Sequence, residues 1–212
     1  MHKPQISLYH YWRSSCSWRV RWALALKGLA YESIPVNILT GEHQRPEYLA
    51  RNPAGHLPTL VIDGRCYGES LALIEWLDET WPEPALYPAE PRARLHARQL
   101  ALTIAAGTQP LQNPSMLKYF LDDDAKRQAA ARHWIQRGLG TYERLLQDGH
   151  PSLYSCGDEV SVPDLCLIPQ VYNALRFQVD LAAYPLVRGI YERARQTPPC
   201  QTAEPERQPG AQ

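Results

Sequence analysis

Four prolines, Pro82, Pro84, Pro88 and Pro91, fall within ten residues and divide the chain into two parts of different character. Each ring fixes φ and removes a backbone donor, so such a cluster propagates neither a helix nor a central strand. Ahead of it, extended and helical patterns alternate. Residues 6–11 read as a strand, 17–27 as a helix stopped by Gly28, and 31–39 as a second extended run, which together make a βαβ unit. A polar stretch with Glu42, His43, Gln44 and Arg45 leads to a loop over 52–58. Residues 59–62 then read as a strand, Asp63-Gly64 as a hairpin turn and 65–67 as the return strand. Ser70 opens a helix whose Leu71, Ile74 and Leu77 recur on one face.

Beyond the prolines the strand signals vanish. Residues 92–102, 125–146 and 163–175 read as helices, and the tail from Thr197, with Pro198, Pro199, Pro205 and Pro209, reads as irregular or frayed. The expectation is an α/β domain over 1–81, a linker over 82–91 and an all-α domain over 92–212. At 212 residues and 44% hydrophobic, the chain is long enough for one large or two small cores.

Lys and Arg number 22 and so do Asp and Glu, which leaves no net basic field for nucleic acid, and no apolar run is long enough for a membrane span. A small-molecule partner is the expectation. Met1-His2-Lys3-Pro4 runs into the first strand without the apolar stretch of a signal peptide, so the expected location is the cytoplasm. Cys16, Cys66, Cys156, Cys166 and Cys200 are odd in number, scattered and without a Cys-x-x-Cys pair, and are expected to remain thiols. The histidines show no His-x-x-x-His or His-Glu-x-x-His spacing, so no metal site is expected.

Two segments carry local signals. Ser14-Ser15-Cys16-Ser17-Trp18-Arg19 sets hydroxyls and a thiol at a strand-to-helix turn, where unpaired N–H groups and the positive end of the helix dipole favour a thiolate or another anion. Helix capping accounts equally well for any one of these serines alone. Ser161-Val162-Pro163-Asp164 fits a capping box with Asp in place of Glu or Gln, flanked by Val160 and Leu165 as a hydrophobic staple. Its loss is expected to cost about 1 kcal/mol. Pro169 is expected to kink the helix that follows.

The ordered set of motifs resembles the glutathione transferase superfamily, and the segment 14–21 (Ser-Ser-Cys-Ser-Trp-Arg-Val-Arg) resembles the signature of its zeta class, the maleylacetoacetate isomerases. Asn52-Pro53 with Leu57-Pro58, Glu69-Ser70-Leu71-Ala72, Gln109-Pro110-Leu111-Gln112-Asn113, 156–160, 169–174 and 176–181 continue the likeness over about residues 6 to 191. The resemblance implies a thioredoxin-like N-terminal domain, a proline-rich linker, an all-α C-terminal domain and a homodimer. It implies glutathione as cofactor. Ser14 or Ser15 would hydrogen-bond the glutathione sulfur and raise its thiolate fraction, with Cys16, Ser17, Trp18 and Arg19 in the same binding segment. Leu57-Pro58 matches the position of a cis-proline whose neighbouring peptide pairs with the glutathione backbone like an added strand. Glu69 and Ser70 would hold the γ-glutamyl ammonium and carboxylate. His43, Gln109, Asn113 and Ser115 match further contact positions. One departure stands out, since the zeta class commonly has Gln where this chain has Glu69.

The implied reaction is cis–trans isomerisation of maleylacetoacetate to fumarylacetoacetate in aromatic amino acid (tyrosine and phenylalanine) catabolism: a thiolate adds to the alkene, the bond rotates, and elimination restores the thiolate. Arg13, Arg19 and Arg176 are the candidate anchors for the substrate carboxylates, Arg176 because it matches a position the family assigns to that task. Ser14, Ser15 and Cys16 are the candidate catalytic residues. Sister activities of the same fold, on maleylpyruvate or small α-halo acids, need the same thiolate and carboxylate clamp. Outside the family, Cys16 could serve a glutathione-dependent thioltransferase, although two serines precede it where that chemistry would place cysteine first. A phosphatase-like loop is excluded, because four residues separate Cys16 from Arg21 where tyrosine phosphatases use five and add glycines. Glutathione binding without catalysis is the remaining rival.

Overall fold

A computed structural model describes residues 4–148 and 152–211. In chain order its principal elements are β1 (Ile6–His10), α1 (Ser15–Leu26), β2 (Glu32–Pro35), α2 (Pro46–Leu49), β3 (Thr59–Ile62), β4 (Arg65–Tyr67), α3 (Ser70–Thr80), α4 (Pro91–Ala105), α5 (Pro114–Phe120), α6 (Asp124–Gln147), α7 (Val162–Arg176), α8 (Pro185–Ala194) and α9 (Pro198–Ala203). They form two compact units. The first runs to Leu86 and takes back the tail from Thr197; the second is Tyr87–Gln196.

The sheet of the first unit has the order β2-β1-β3-β4, with β1 and β2 parallel and β3 antiparallel to both of its neighbours. Along β1 the residues Ile6, Leu8 and His10 are buried while Ser7 and Tyr9 are half-buried, the period-2 pattern of a strand with one covered face. Leu8 stands opposite Leu60 and both are fully buried. Asp63 (φ 46°) and Gly64 (φ 82°) turn the hairpin with the two positive φ angles that a two-residue loop requires. The helix α1 ends where Gly28 adopts φ 62°, and the N–H groups of Gly28 and Leu29 close onto the carbonyls of Ala25 and Leu24. Lys27 Nζ then bridges Asp78 (2.7 Å) and the Pro84 carbonyl (2.6 Å), and Asp78 also accepts from the Leu86 N–H, tying the ends of α1 and α3 to the segment 84–86.

The expected extended run over 31–39 contracts to β2. Past Pro35 the chain winds into short 3₁₀ turns, Ile38–Thr40 and Glu42–Gln44. Asn37 Oδ1 accepts from the Leu39 N–H and the Glu42 carboxylate from the Asn37 N–H, so side chains satisfy backbone groups that a longer strand would have paired. A further difference concerns the tail, which is ordered. The helix α9 packs against α1 within the first unit, so the all-α expectation for 92–212 is corrected: the second unit ends at Gln196.

In the second unit α7 is the central element, packed against α4, α6 and α8. Val162, Leu165, Leu167, Ile168 and Val171 are fully buried. The capping box forms at its start: the Asp164 carboxylate accepts from the Ser161 N–H (2.8 Å), the Ser161 hydroxyl (3.1 Å) and the Ser155 N–H (2.9 Å). Pro169 lies inside α7, which is continuous to Arg176. No helix among the described residues is long and apolar enough to cross a membrane, and no disulfide joins the cysteines.

Candidate active site

The turn after β1 is closed by the Ser14 N–H donating to the Tyr11 carbonyl (3.1 Å). Ser14 is the extended N-cap of α1 (φ −67°, ψ 122°), and its Oγ accepts from the Ser17 N–H (3.2 Å). A hydroxyl that accepts in the cap keeps its own proton to donate, so capping and holding an anion are compatible roles. Ser15 is half-buried at the first helical position, and neither its N–H nor its hydroxyl has a partner among the described residues. The Ser17 hydroxyl is fully buried and likewise without one. Trp18 is buried at the back of the same turn. Arg19, 1% exposed, donates from Nη1 to Cys16 Sγ (3.7 Å) and to Ser70 Oγ (3.3 Å), which joins the first turn of α1 to the start of α3.

That second helix start is also open. Glu69 holds φ 62° and ψ 101°, a conformation that costs a non-glycine residue about 1–3 kcal/mol, and strain of this kind concentrates at ligand sites. No side chain caps α3, and the N–H groups of Ser70, Leu71 and Ala72 have no acceptor among the described residues. Neither α1 nor α3 carries a carboxylate in its first turn, so both positive dipole ends stay available to an anion.

The loop before β3 belongs to the same unit. The Leu57–Pro58 peptide is cis, as is Glu83–Pro84. Leu57 offers its N–H and C=O without a partner among the described residues. Tyr48 and Asn52 shape the loop, each donating to the His56 carbonyl and each within reach of Thr59 Oγ1. At Gly55 (φ 62°) a Cβ would lie 2.5 Å from Gln44 Nε2 and 3.2 Å from the His43 carbonyl, so the loop rests on the turn that carries His43. His43 Nδ1 is buried without a partner, and burial, followed by the nearby His56, lowers its pKa.

Residues 8–85 match the family model described as the glutathione S-transferase N-terminal domain. Over 204 residues the chain is 44% identical to maleylacetoacetate isomerase of Rhizobium meliloti (strain 1021), covering 94% of this chain and 96% of that protein. The chain belongs to the zeta-class glutathione transferase and maleylacetoacetate isomerase family. Among solved structures, a zeta-class bacterial maleylpyruvate isomerase in its holo form superposes with a TM-score of 0.94 at 38% identity, covering 97% of this chain and all of that one. The maleylacetoacetate isomerase of Anaeromyxobacter dehalogenans 2CP-1, solved with bound GSH in the active site, superposes at 0.91 with 41% identity over the full length of both chains. Another structure of that protein holds dicarboxyethyl glutathione and citrate.

In this zeta-class chain the candidate residues fall in both units. Ser14, Ser15, Cys16, Ser17, Trp18, Arg19, His43, Leu57, Pro58, Glu69 and Ser70 lie in the first, where Arg19 links two of the segments directly. Arg13 lies there too, its guanidinium 5.1 Å from the centre of the Trp12 ring. Gln109, Asn113, Ser115 and Arg176 lie in the second. Asn113 is the N-cap of α5, and its Oδ1 accepts from both the N–H (3.0 Å) and the hydroxyl (2.8 Å) of Ser115. Gln109 opens the 3₁₀ turn Pro110–Gln112, held from below by buried Gln112 donating to Gln170 (2.6 Å). Arg176 is exposed at the end of α7 and donates to Asn173 Oδ1 (3.1 Å). A separate cavity of about 530 Å³ between α4, α6 and α8, with Leu146, Tyr154, Ile190 and Arg193 in its wall, contains none of these residues.

Sequence reasoning missed a buried pair beneath the site. Arg21, 1% exposed, donates from Nη2 to the Trp12 carbonyl (3.0 Å), from Nη1 to the Tyr11 carbonyl (3.4 Å) and from Nε to the Ala203 carbonyl (3.1 Å). Its Nη1 also lies 3.3 Å from Nδ1 of fully buried His10, whose Nε2 is 2.7 Å from Ser33 Oγ. Burial, then the Arg21 charge, lowers the His10 pKa from 6.5 to about 3. A neutral ring follows, with Nδ1 accepting from Arg21 and Nε2–H donating to Ser33. The signal was present: α1 reads apolar on every side from Trp18 to Leu26, so its arginines had no solvent face to occupy.

Proposed function

We propose that this zeta-class chain is a glutathione-dependent isomerase converting maleylacetoacetate to fumarylacetoacetate. The observation that carries the reading is the pair of helix starts joined through Arg19, α1 capped only by the Ser14 hydroxyl and α3 by no side chain, with the unpaired Leu57 backbone in the same unit. This donor set fits a tripeptide that ends in carboxylates and carries one thiol. The Ser70, Leu71 and Ala72 N–H groups suit the γ-glutamyl carboxylate and Glu69 its ammonium. Leu57 suits the cysteinyl backbone by strand addition. The Ser14 and Ser15 hydroxyls, with the Cys16 thiol beside them, suit the sulfur. His43 is assigned to the same set, and the family resemblance assigns Gln109, Asn113 and Ser115 to glutathione as well.

When bound, glutathione supplies a thiolate able to add to a conjugated double bond and leave again. The chain's contribution is to keep that sulfur ionised, through donated hydroxyl protons and the α1 dipole, and to orient the substrate. Arg13, Arg19 and Arg176 are assigned to the substrate carboxylates, for which a planar guanidinium offers two-oxygen contacts. A hydroxyl such as Ser15's, with its proton uncommitted, can donate to oxygen charge that develops on the substrate.

A spectrophotometric assay of maleylacetoacetate and maleylpyruvate, each with and without glutathione, tests the reading. Turnover of the first that requires glutathione is expected; no turnover of either, or turnover without glutathione, would overturn it. The maleylpyruvate arm is included because a structural relative carries that name. Arg176→Ala is expected to raise KM for the dicarboxylate about tenfold or more with little change in glutathione affinity, and an unchanged KM would remove Arg176 from the site. We assign the chain to cytoplasmic aromatic amino acid catabolism as a homodimer. Leu95 and Leu102, 69% and 50% exposed one heptad apart on α4, are consistent with a covered face, and sedimentation equilibrium should return twice the chain mass.

A further inference from the structure

We infer that Arg21 is a positioning residue for the thiolate site, its planar fork fixing the turn that presents Ser14 and braced by the C-terminal segment through the Ala203 carbonyl. The inference rests on the function proposed above. Its geometric basis is direct. Ser14 takes its place as N-cap because its N–H bonds the Tyr11 carbonyl, and that same carbonyl, together with the Trp12 carbonyl, receives Arg21. The two peptides that set the direction of the chain into α1 are therefore held from inside the protein by one group.

The other half of the fork points away from the site. Nε donates to Ala203, 182 residues further along the chain, in a helix that packs on α1. The guanidinium is thus filled on three sides by oxygens, from Tyr11, Trp12 and Ala203, with the neutral His10 ring on the fourth. A lysine at this position would keep the charge and lose the simultaneous bonds, since an ammonium is a point charge without a fixed fork. Loss of the fork leaves buried carbonyls unsatisfied and lets the 11–14 turn relax, and with it the hydroxyl aimed at the sulfur. The tail, which carries no candidate site residue, acquires a role as the brace that keeps the fork oriented.

The test compares the parent chain with Arg21→Lys and Arg21→Gln. Each is loaded with glutathione, and the apparent pKa of the bound thiol is read from thiolate absorbance near 240 nm against pH. Calorimetric affinity and thermal unfolding are measured alongside. The expected result is a bound-thiol pKa raised by about one unit in Arg21→Lys, a tenfold smaller thiolate-to-thiol ratio at a given pH, with glutathione affinity changed less than about threefold. Arg21→Gln should shift in the same direction. A folded Arg21→Lys protein whose bound thiol titrates as in the parent would overturn the inference. If that variant does not fold, an unshifted thiol in folded Arg21→Gln protein would overturn it equally. Absence of glutathione uptake by the parent would remove the functional reading and this inference together; an unshifted variant beside a parent with a depressed thiol pKa would remove this inference alone.

Discussion

At the scale of the residue, the proposed site is built from groups whose hydrogen bonds are incomplete. Ser14 accepts one bond in its cap and keeps a proton, and Ser15 keeps both its N–H and its hydroxyl. Ser14→Ala should therefore lower kcat with glutathione by about 10²-fold or more, on the scale seen when one charge-stabilising donor is removed, while the lost cap costs only about 1 kcal/mol of stability. Parallel losses of fold and activity, measured by urea unfolding and turnover, would instead mark Ser14 as a cap alone. His10 gives a second residue-level expectation. Its pKa is depressed in the folded state, from 6.5 to about 3, so the unfolded chain binds the extra proton first as pH falls. The stabilisation is complete above 6.5 and declines below it, by about 2 kcal/mol between pH 7 and pH 5. Urea unfolding of the parent should show this slope and His10→Gln should lack that component; identical slopes would mean that the ring titrates in the native protein as it does in the unfolded chain. The serines were legible in the sequence because they cluster at a strand-to-helix turn. Arg21 was legible only as a buried group, since an arginine or histidine in an apolar pattern gives no hint of which carbonyl or ring it will meet.

At the scale of the element, what sequence could and could not reveal follows from proline. The strands β1, β3 and β4 declare themselves by alternation and by the Asp63-Gly64 turn, and α1, α3, α4, α6 and α7 by their periodicity. The helices that escaped, α2, α5, α8 and α9, open on Pro46, Pro114, Pro185 and Pro198. A residue that reads as a breaker within a pattern is at home at the first helical position, where its missing N–H bonds nothing in any case. The capping box of α7 was legible, but its weight was not. Asp164 is fully buried and receives donors from Ser161 and Ser155, and burial, the dominant influence, raises its pKa against their opposing pull. Asp164→Ala should accordingly destabilise by about 3 kcal/mol, well above a surface cap, because two buried N–H groups lose their acceptor. A denaturant midpoint shifted by only about 1 kcal/mol would return the motif to an ordinary cap. Helix α6 carries a steric counterpart at Gly138, where a Cβ would lie 2.1 Å from Thr108 Oγ1 and 2.5 Å from its Cγ2. Thr108 is buried and donates to the Thr103 carbonyl (2.7 Å), so it has little room to withdraw. Gly138→Ala should cost about 1–3 kcal/mol despite the better helix propensity of alanine, and a stabilised variant would show that the turn holding Thr108 can withdraw from α6.

At the scale of the whole molecule, the chain order matters more than the two-part division at the prolines suggests. The first unit is interrupted after Leu86 and completed only by the segment from Thr197, so the contact between Arg21 and Ala203 closes a loop that contains the entire second unit. Such closure costs configurational entropy that a merely draped tail could not recover; here the recovery comes from burying α9 against α1 and from satisfying a buried guanidinium. The cysteines report on this directly. Cys16 and Cys66 are half-buried, whereas Cys166 and Cys200 are fully buried, one in the central helix of the second unit and one in α9. Cys156 is half-buried with its thiol pushed up to about 12 by burial and then by Asp164, which leaves very little thiolate at pH 8. Labelling with an aromatic disulfide at pH 8 should therefore modify Cys16 and Cys66 first and Cys156 slowly, with Cys166 and Cys200 reacting only on opening. If the tail opens as its own unit, Arg21→Lys should accelerate Cys200 while leaving Cys166 at the parental rate, because the substitution removes the brace of one segment and touches nothing in the other. Equal acceleration of both would mean that the brace belongs to global stability and that tail and helical unit open together. A Cys200 as reactive in the parent as Cys66 would mean that the tail does not close the first unit in solution.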